Sequence, residues 1–487
     1  MKTSFTLLNK KDVLITFVLL ISAVLFPFLL KNGPNYMGPL LLLGIFTFPI
    51  LLLVLFDYRT GIYLLLLYGA FMFLIDRLLS VDLPLGILFD LLIVLIFFVL
   101  IVQLKTRGEF KWKLNSPITI CHILFYIYFT LEALNPNSIS PFGWLSAFRF
   151  YFYLLLFYIF IHYFSEVENI KKFTKLWLSI ALLAGFYGIF QEIFGLRSFE
   201  MKWLYEVPGR YELYFIWGRL RKFSFLSDPS AYGLFMAYSA TSVLVLVFGP
   251  YKRIYIFLFA TTAVIMLVAM SFAGTRTAYA MVMISIVFFI ILNIRNRKII
   301  IASLVMGFVF LVLMFGPFYS APILRMRSTF NVSNDASMGV RDYKRLKFQP
   351  YIQSHPFGGG INTAGNSGLR YAKGHPLAGK FDPDSGYLRT GMEMGSIGLF
   401  LSLLLNCVVM IQGVANHYNL KDKFLRNINI VFVVPFLGLS VAHFTQDALL
   451  QKPLNLLVIG TYALMIVLKD LDSKYVHIIS NTNEKLN

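Results

Sequence analysis

Long uninterrupted apolar runs alternate along the chain with short segments rich in charge, Gly and Pro. A hydrocarbon core of about 30 Å is crossed by a helix of about 20 residues. Runs of that length predict spans at about 12–30, 36–56, 61–76, 84–104, 117–134, 147–165, 174–194, 231–249, 254–271, 277–294, 299–318, 395–415, 427–446 and 453–468. Strands are not expected at membrane depth, where only helices and closed barrels satisfy their backbone, and these runs lack a barrel's alternation. The expected fold class is therefore an all-α polytopic membrane protein with about 12–14 transmembrane helices and two long loops. The first run follows Lys10 and Lys11 as a secretory signal would, but it is too long for a signal core and has no small-x-small cleavage site. It reads as a retained helix.

Composition agrees with this reading. Of 487 residues 58% are hydrophobic and 14% charged, where soluble proteins carry about a quarter charged residues. Alternating the sides of the spans with the N-terminus inside puts 22 of the 43 cations in inner segments. The short outer connections hold only Lys31, Arg77, Arg149, Arg276 and Lys452. The positive-inside rule thus places both termini in the cytoplasm. The net charge of +19 has this topological explanation, and no nucleic-acid motif accompanies it. Cys121 and Cys407 lie inside apolar runs, which excludes a disulfide framework or a Cys-based zinc site.

The predicted organisation is N-terminal spans over 1–194, a first long outer loop over 195–230, central spans over 231–318, a large outer loop over 319–394, C-terminal spans over 395–468 and a cytoplasmic tail over 469–487. Long loops escape the positive-inside rule, so their charge is free to reflect function. Loops beyond about 15 residues are usually functional or disordered.

Segment 360–367 approaches a phosphate-cradling P-loop, but Asn366 stands where its Lys is needed. No paired-His zinc motif occurs, so no metal or cofactor is expected; a site from His375, Asp382 and Asp384 is the metal-bound alternative. An outward-facing enzyme without ATP must draw on an activated bond in its substrate, such as that of a sugar on a polyprenyl pyrophosphate. Its leaving group calls for fixed cations, and Arg supplies a permanent charge on a planar fork. Arg219 and Arg221 precede the Asp228-Pro229 turn, Arg276 sits in a tight Gly-Thr-Arg turn between spans, and Arg341, Lys344 and Arg345 fit one face of a short helix before Pro350. The competing readings are headgroup anchoring for the first pair and a solvated basic face for the last group. Gly358 to Gly360 permit a tight turn. The loop aromatics Trp203, Tyr205, Tyr211, Tyr214, Phe215 and Trp217 suit sugar stacking or, more simply, interfacial anchoring.

The ordered set of an Arg-bearing Phe-x-x-Asp-Pro segment, a Gly-Thr-Arg turn, Arg341 followed by His-Pro-Phe-Gly-Gly-Gly, and Asp384-Ser-Gly-Tyr-Leu-Arg-x-x-x-Glu393-x-Gly-x-Ile-Gly-Leu resembles the O-antigen polymerase and ligase superfamily over roughly residues 205–400. The resemblance implies a metal-independent, GT-C-like glycosyltransferase of the bacterial inner membrane that uses undecaprenyl pyrophosphate-linked oligosaccharide at the periplasmic face. It also implies a chain-length regulator and a flippase as candidate partners. Ligases of this superfamily usually carry a His-Asn pair where this chain has Asp384-Ser385, which favours the polymerase branch, while spatial substitution by His375 is the alternative that keeps the ligase branch open.

In the resulting hypothesis Arg276 and Arg341, with Arg219 or Arg221, hold the pyrophosphate, and Asp384 or, second, Glu393 accepts the proton of the incoming hydroxyl. Lys344, Arg345, His375, Tyr387 and His443 are further substrate-binding candidates. For Asp384 the structural alternative is an Asx turn at Gly386, for Glu393 a helix cap, and for His443 a hydrogen bond to Asp447 four residues on. Asp90 and Glu132, inside spans, are expected to pair within the bundle. Such polar residues also fit a flippase or exporter of lipid-linked sugars, which is expected to place its cations around a midplane cavity rather than at one face. A non-catalytic assembly scaffold is a third reading.

Overall fold

The computed structural model describes residues 51–79, 84–108, 115–216, 218–328, 336–379 and 385–484. The predicted span 12–30, most of 36–56, and Asp382 and Asp384 lie outside the described residues. The chain divides into two compact units, residues 1–110 and 111–487. In the first, helices α1 (Tyr58–Leu79) and α2 (Leu85–Thr106) pack closely. Gly61 admits the Ile96 side chain, and the Tyr68 hydroxyl donates to the Leu85 carbonyl at 3.0 Å.

The second unit begins with α3 (Pro117–Leu131), the short α4 (Pro141–Ser146), α5 (Tyr151–Tyr163) and α6 (Val167–Phe194). Between α6 and the next span, α7 (Ser198–Glu206), α8 (Arg210–Tyr214) and an antiparallel pair β1 (Phe215–Ile216) and β2 (Arg219–Leu220) enclose Leu204, Tyr214 and Phe223. Then follow α9 (Pro229–Val247), α10 (Arg253–Phe272), α11 (Arg276–Leu292) and α12 (Arg297–Phe315). The large loop carries α13 (Ala321–Ser328), α14 (Ala336–Ser354) and α15 (Gly365–Tyr371), and the chain closes with α16 (Gly386–Asn419), α17 (Lys423–Ala442) and α18 (Leu454–Glu484). Eleven helices among the described residues are long and apolar enough to cross a membrane, and the protein is an all-α polytopic membrane protein.

Burial separates core helices from lipid-facing ones. The apolar windows of α9, α17 and α18 are 83%, 78% and 83% buried, whereas that of α12 is 6% buried. Helices hydrophobic all round occupy either environment, and packing decides which. The central helices are also tied by polar contacts that lipid does not offer: Ser242 donates to the Val431 carbonyl at 2.9 Å, and the Trp177 indole to the Ser239 hydroxyl at 3.1 Å. Helix starts follow capping chemistry. The Asp228 carboxylate accepts from the amides of Ser230 and Ala231 ahead of Pro229, and Asp422 accepts from Leu425. The helix expected before Pro350 instead continues through it to Ser354. Pro350 donates no hydrogen bond, but one missing bond in an exposed surface helix leaves the carbonyl it would have served open to water.

Candidate functional site

The most constrained feature of the second unit is a break in α16. Gly395 has φ 65° and ψ −168°, so the intrahelical ladder is interrupted there. Carbonyls freed inside a membrane helix need substitute donors. Loop 355–364 and Tyr128 of α3 supply them: Gly359 donates to the Met392 carbonyl and Gly360 to that of Glu393, both at 2.9 Å, and the Tyr128 hydroxyl donates to the Met394 carbonyl at 2.8 Å. Ile397 in turn donates to the Pro356 carbonyl at 3.3 Å. A side chain on Gly395 would collide with that carbonyl, and one on Gly358, whose φ is 71°, with the Gly395 amide. The glycine run is therefore a backbone-to-backbone dock onto α16. Asn135 and Asn137 hold its far side through the carbonyls of Phe357 and Gly358, at 2.7 and 2.8 Å. Asn135 also donates to the Glu132 carboxylate at 2.7 Å, which gives the intrahelical acid its partner.

Glu393 sits buried at this break rather than capping a helix start. The backbone of Asn362 and Ala364 lies against its carboxyl group. The segment that approaches a phosphate cradle in sequence thus faces the protein's own Glu393. One turn before it, Arg389 pairs with Asp447, Nη1 to Oδ2 at 3.1 Å. Arg389 belongs with the site although the sequence did not mark it as a candidate, and Asp447, weighed there with His443 as an i, i+4 pair, belongs through Arg389 instead. The signal available was the i, i+4 spacing of Arg389 and Glu393.

Segment 443–447 collects contacts from three elements. Arg345 of α14 donates to the Phe444 carbonyl at 3.2 Å with its guanidinium 3.9 Å from the Phe444 ring centroid. Thr277, next to Arg276 at the start of α11, bonds the Thr445 hydroxyl at 3.1 Å. Tyr387 of α16 meets the His443 ring edge-on at 4.6 Å and donates to the Ser440 carbonyl at 3.0 Å. The expected hydrogen bond between His443 and Asp447 is not formed. Nδ1 lies 3.6 Å from the carboxylate and instead accepts from the Leu449 amide at 3.3 Å, so it carries no proton to share. A cavity of about 180 Å³ lies beneath these groups, with Arg389, Glu393 and His443 among its lining and aromatic walls from α3 and α5.

The other candidates separate. Arg221 donates from Nε to the Ala273 carbonyl at 2.8 Å and from Nη2 to the Thr275 hydroxyl at 2.9 Å. It braces the turn that carries Arg276, and Gly233 leaves room for Thr275 to seat there. Arg219 pairs with Glu192, which Lys222 also approaches at 3.8 Å. Burial, with help from Arg219, pushes the Lys222 pKa down, and Glu200 opposes the shift. His375 packs on Gly359, its Nδ1 accepting from the Leu377 amide at 3.2 Å and its ring also hydrogen-bonding the Asn137 backbone, so it supports the dock. Arg341 and Lys344 share α14 with Arg345, but their side chains lie outside the described residues, as does Asp384. Among the described residues no three His, Cys, Asp or Glu side chains gather as a metal site.

Residues 261–403 match the family model described as O-antigen ligase. The match spans the Arg276 turn, the large loop and the broken first half of α16, while Arg221 and segment 443–447 fall outside it. Over these residues the chain is similar to the O-antigen polymerase and ligase superfamily, and the match does not distinguish the two branches. No curated relative matches the chain.

Proposed function

We propose that the protein is a polysaccharide polymerase, transferring a glycan from undecaprenyl pyrophosphate to a sugar hydroxyl of another lipid-linked repeat unit at the periplasmic face. The observation that carries the reading is the convergence of α11, α14 and α16 on segment 443–447 at the mouth of the cavity. Arg345 and Arg389 both contact that segment, and Arg276 is adjacent to a third contact. In the reaction the sugar's anomeric carbon exchanges its bond to the pyrophosphate oxygen for one to the acceptor oxygen. Arg276, Arg345 and Arg389, with Arg341 and Lys344 from the same helix as Arg345, stabilise the charge that develops on the departing pyrophosphate. The hydroxyl proton passes to a carboxylate, Asp384 at the approach to α16 or Glu393 in the cavity lining. Asp447 orients Arg389, and Arg221 positions Arg276. The Asp384-Ser385 pair, where ligases usually carry His-Asn, supports the polymerase branch.

The test is an in vitro reaction of purified protein with a synthetic undecaprenyl pyrophosphate-linked repeat unit and no other acceptor. A ladder of longer lipid-linked glycans that disappears in Arg276→Ala is the expected result. Transfer only when lipid A-core is added makes the protein a ligase, and absence of both products removes the transferase reading in favour of transport.

A further inference from the structure

The cavity beneath the charged groups is walled by aromatic rings, yet it contains a polar group that none of the described residues satisfies. Asn455, at the start of α18, lines it at 2% exposure, and neither its Nδ2 nor its Oδ1 has a hydrogen-bond partner among the described residues. Across the lining, His122 of α3 is likewise buried, its Nδ1 without a partner among the described residues. The neighbouring polar side chain Asn406 shows the ordinary alternative, since its Oδ1 accepts from the Tyr462 hydroxyl at 2.8 Å. A buried amide left unpaired is destabilising, so a hydrocarbon occupant would perpetuate the penalty and a polar one would remove it. Asn455 presents a donor and an acceptor side by side, the complement of a vicinal diol or an acetamido group. The walls, from Phe125, Phe129 and Tyr153, offer the apolar faces against which a sugar ring packs.

We infer that this cavity is a monosaccharide subsite, and that Asn455 is the residue that reads the substituents of one sugar unit of the glycan. The inference rests on the transferase reading above and deepens it. A site built to pair a substrate's polar groups discriminates strongly against analogues that lack them, because its own groups are then stranded.

The experiment uses the full chain in nanodiscs of phosphatidylglycerol and phosphatidylethanolamine, free of sugar detergents. It measures saturation-transfer NMR from methyl glycosides of glucose, galactose, N-acetylglucosamine and N-acetylgalactosamine. Wild type is expected to bind at least one of them, and Asn455→Leu to weaken that binding about tenfold, the scale of one lost paired contact. Asn455→Leu without ligand is expected to melt at the wild-type temperature or above it, because an apolar near-isostere replaces an unpaired amide. A lower melting temperature shows the amide is structural and overturns the inference. So do absence of glycoside binding by wild type, equal binding by the variant, or displacement of the glycoside by farnesol, which assigns the cavity to the isoprenoid tail. Glycoside binding without any lipid-linked ladder sinks the transferase reading while leaving the sugar site standing.

Discussion

Gly386 and His443 interlock: a Cβ on Gly386 would fall inside the His443 ring, while the Gly386 amide donates to the His443 carbonyl at 3.1 Å. The start of α16 and the end of α17 are thereby fixed in register, and Arg389 and Asp447, one turn further along each strand of the junction, are brought into their ion pair. Gly386→Ala is expected to lower stability by about 1–3 kcal/mol, the usual cost of overpacking a tight contact. Because the collision needs the ring, the pair is not additive. The Gly386→Ala, His443→Ala double variant is expected to melt no lower than His443→Ala alone, read by the thermal unfolding of purified protein.

The break at Gly395 leads to a second prediction. Gly395→Ala forces a side chain into a left-handed conformation, a strain of about 1–3 kcal/mol, and drives a Cβ into the Pro356 carbonyl. Loop 355–364 is expected to undock from α16. Limited proteolysis will report this as new cleavage after Phe357 or Tyr351, with the transmembrane helices intact. Gly374→Ala is the control: Gly374 has a positive φ of 98° but nothing within 4 Å of its Cβ position, so strain without collision leaves the dock protected.

Arg221 is expected to act through Arg276. Arg221→Lys keeps the charge but not the fork that spans the Ala273 carbonyl and Thr275 hydroxyl, so glycan transfer is expected to fall about tenfold or more with little change in KM. The discriminating variant is Thr275→Val, which removes a partner of Arg221 while leaving both arginines in place. It is expected to reproduce much of the loss. An Arg221 that gripped pyrophosphate directly would be indifferent to it.

The third to fourteenth predicted positions were legible in the sequence because twenty-residue apolar runs have few physical outcomes: helices occupy all twelve, and all but Arg276–Leu292 are long and apolar enough to cross a membrane. The docking of His-Pro-Phe-Gly-Gly-Gly onto α16 was not legible in its form. The sequence marked Gly358 to Gly360 as a turn, but their need to lack side chains comes from Gly395, which lies 35 residues beyond Gly360 in the chain. Arg221 shows the same limit from the other side. As a residue type it suited an anion site, and only the position of the Ala273 carbonyl reveals that its donors are engaged within the protein. Asp447 was expected to bond its own helix neighbour His443, and a partner 58 residues earlier, Arg389, took the carboxylate instead.

His375 makes the dock sensitive to acid. Burial pulls its pKa below the ordinary value near 6.5, with the neighbouring His355 contributing in the same direction and the Asn137 backbone opposing. The folded protein therefore prefers the neutral ring, whose Nδ1 accepts from the Leu377 amide. A group with a depressed folded pKa leaves the unfolded state binding more protons below the unfolded value, so its stabilisation is complete above about pH 6.5 and is lost as pH falls through the folded pKa. The slope can reach about 1.4 kcal/mol per pH unit for one such group. Wild-type melting temperature is expected to fall between pH 7 and pH 5 more steeply than that of His375→Asn, whose Oδ1 offers an acceptor near the Nδ1 position and does not titrate. Since the ring packs on Gly359, which donates to Met392 beside Glu393, glycan transfer is expected to show the same acid limb, reversibly, and to lose it in His375→Asn. Parallel pH profiles for the two proteins would place the acid-sensitive group elsewhere.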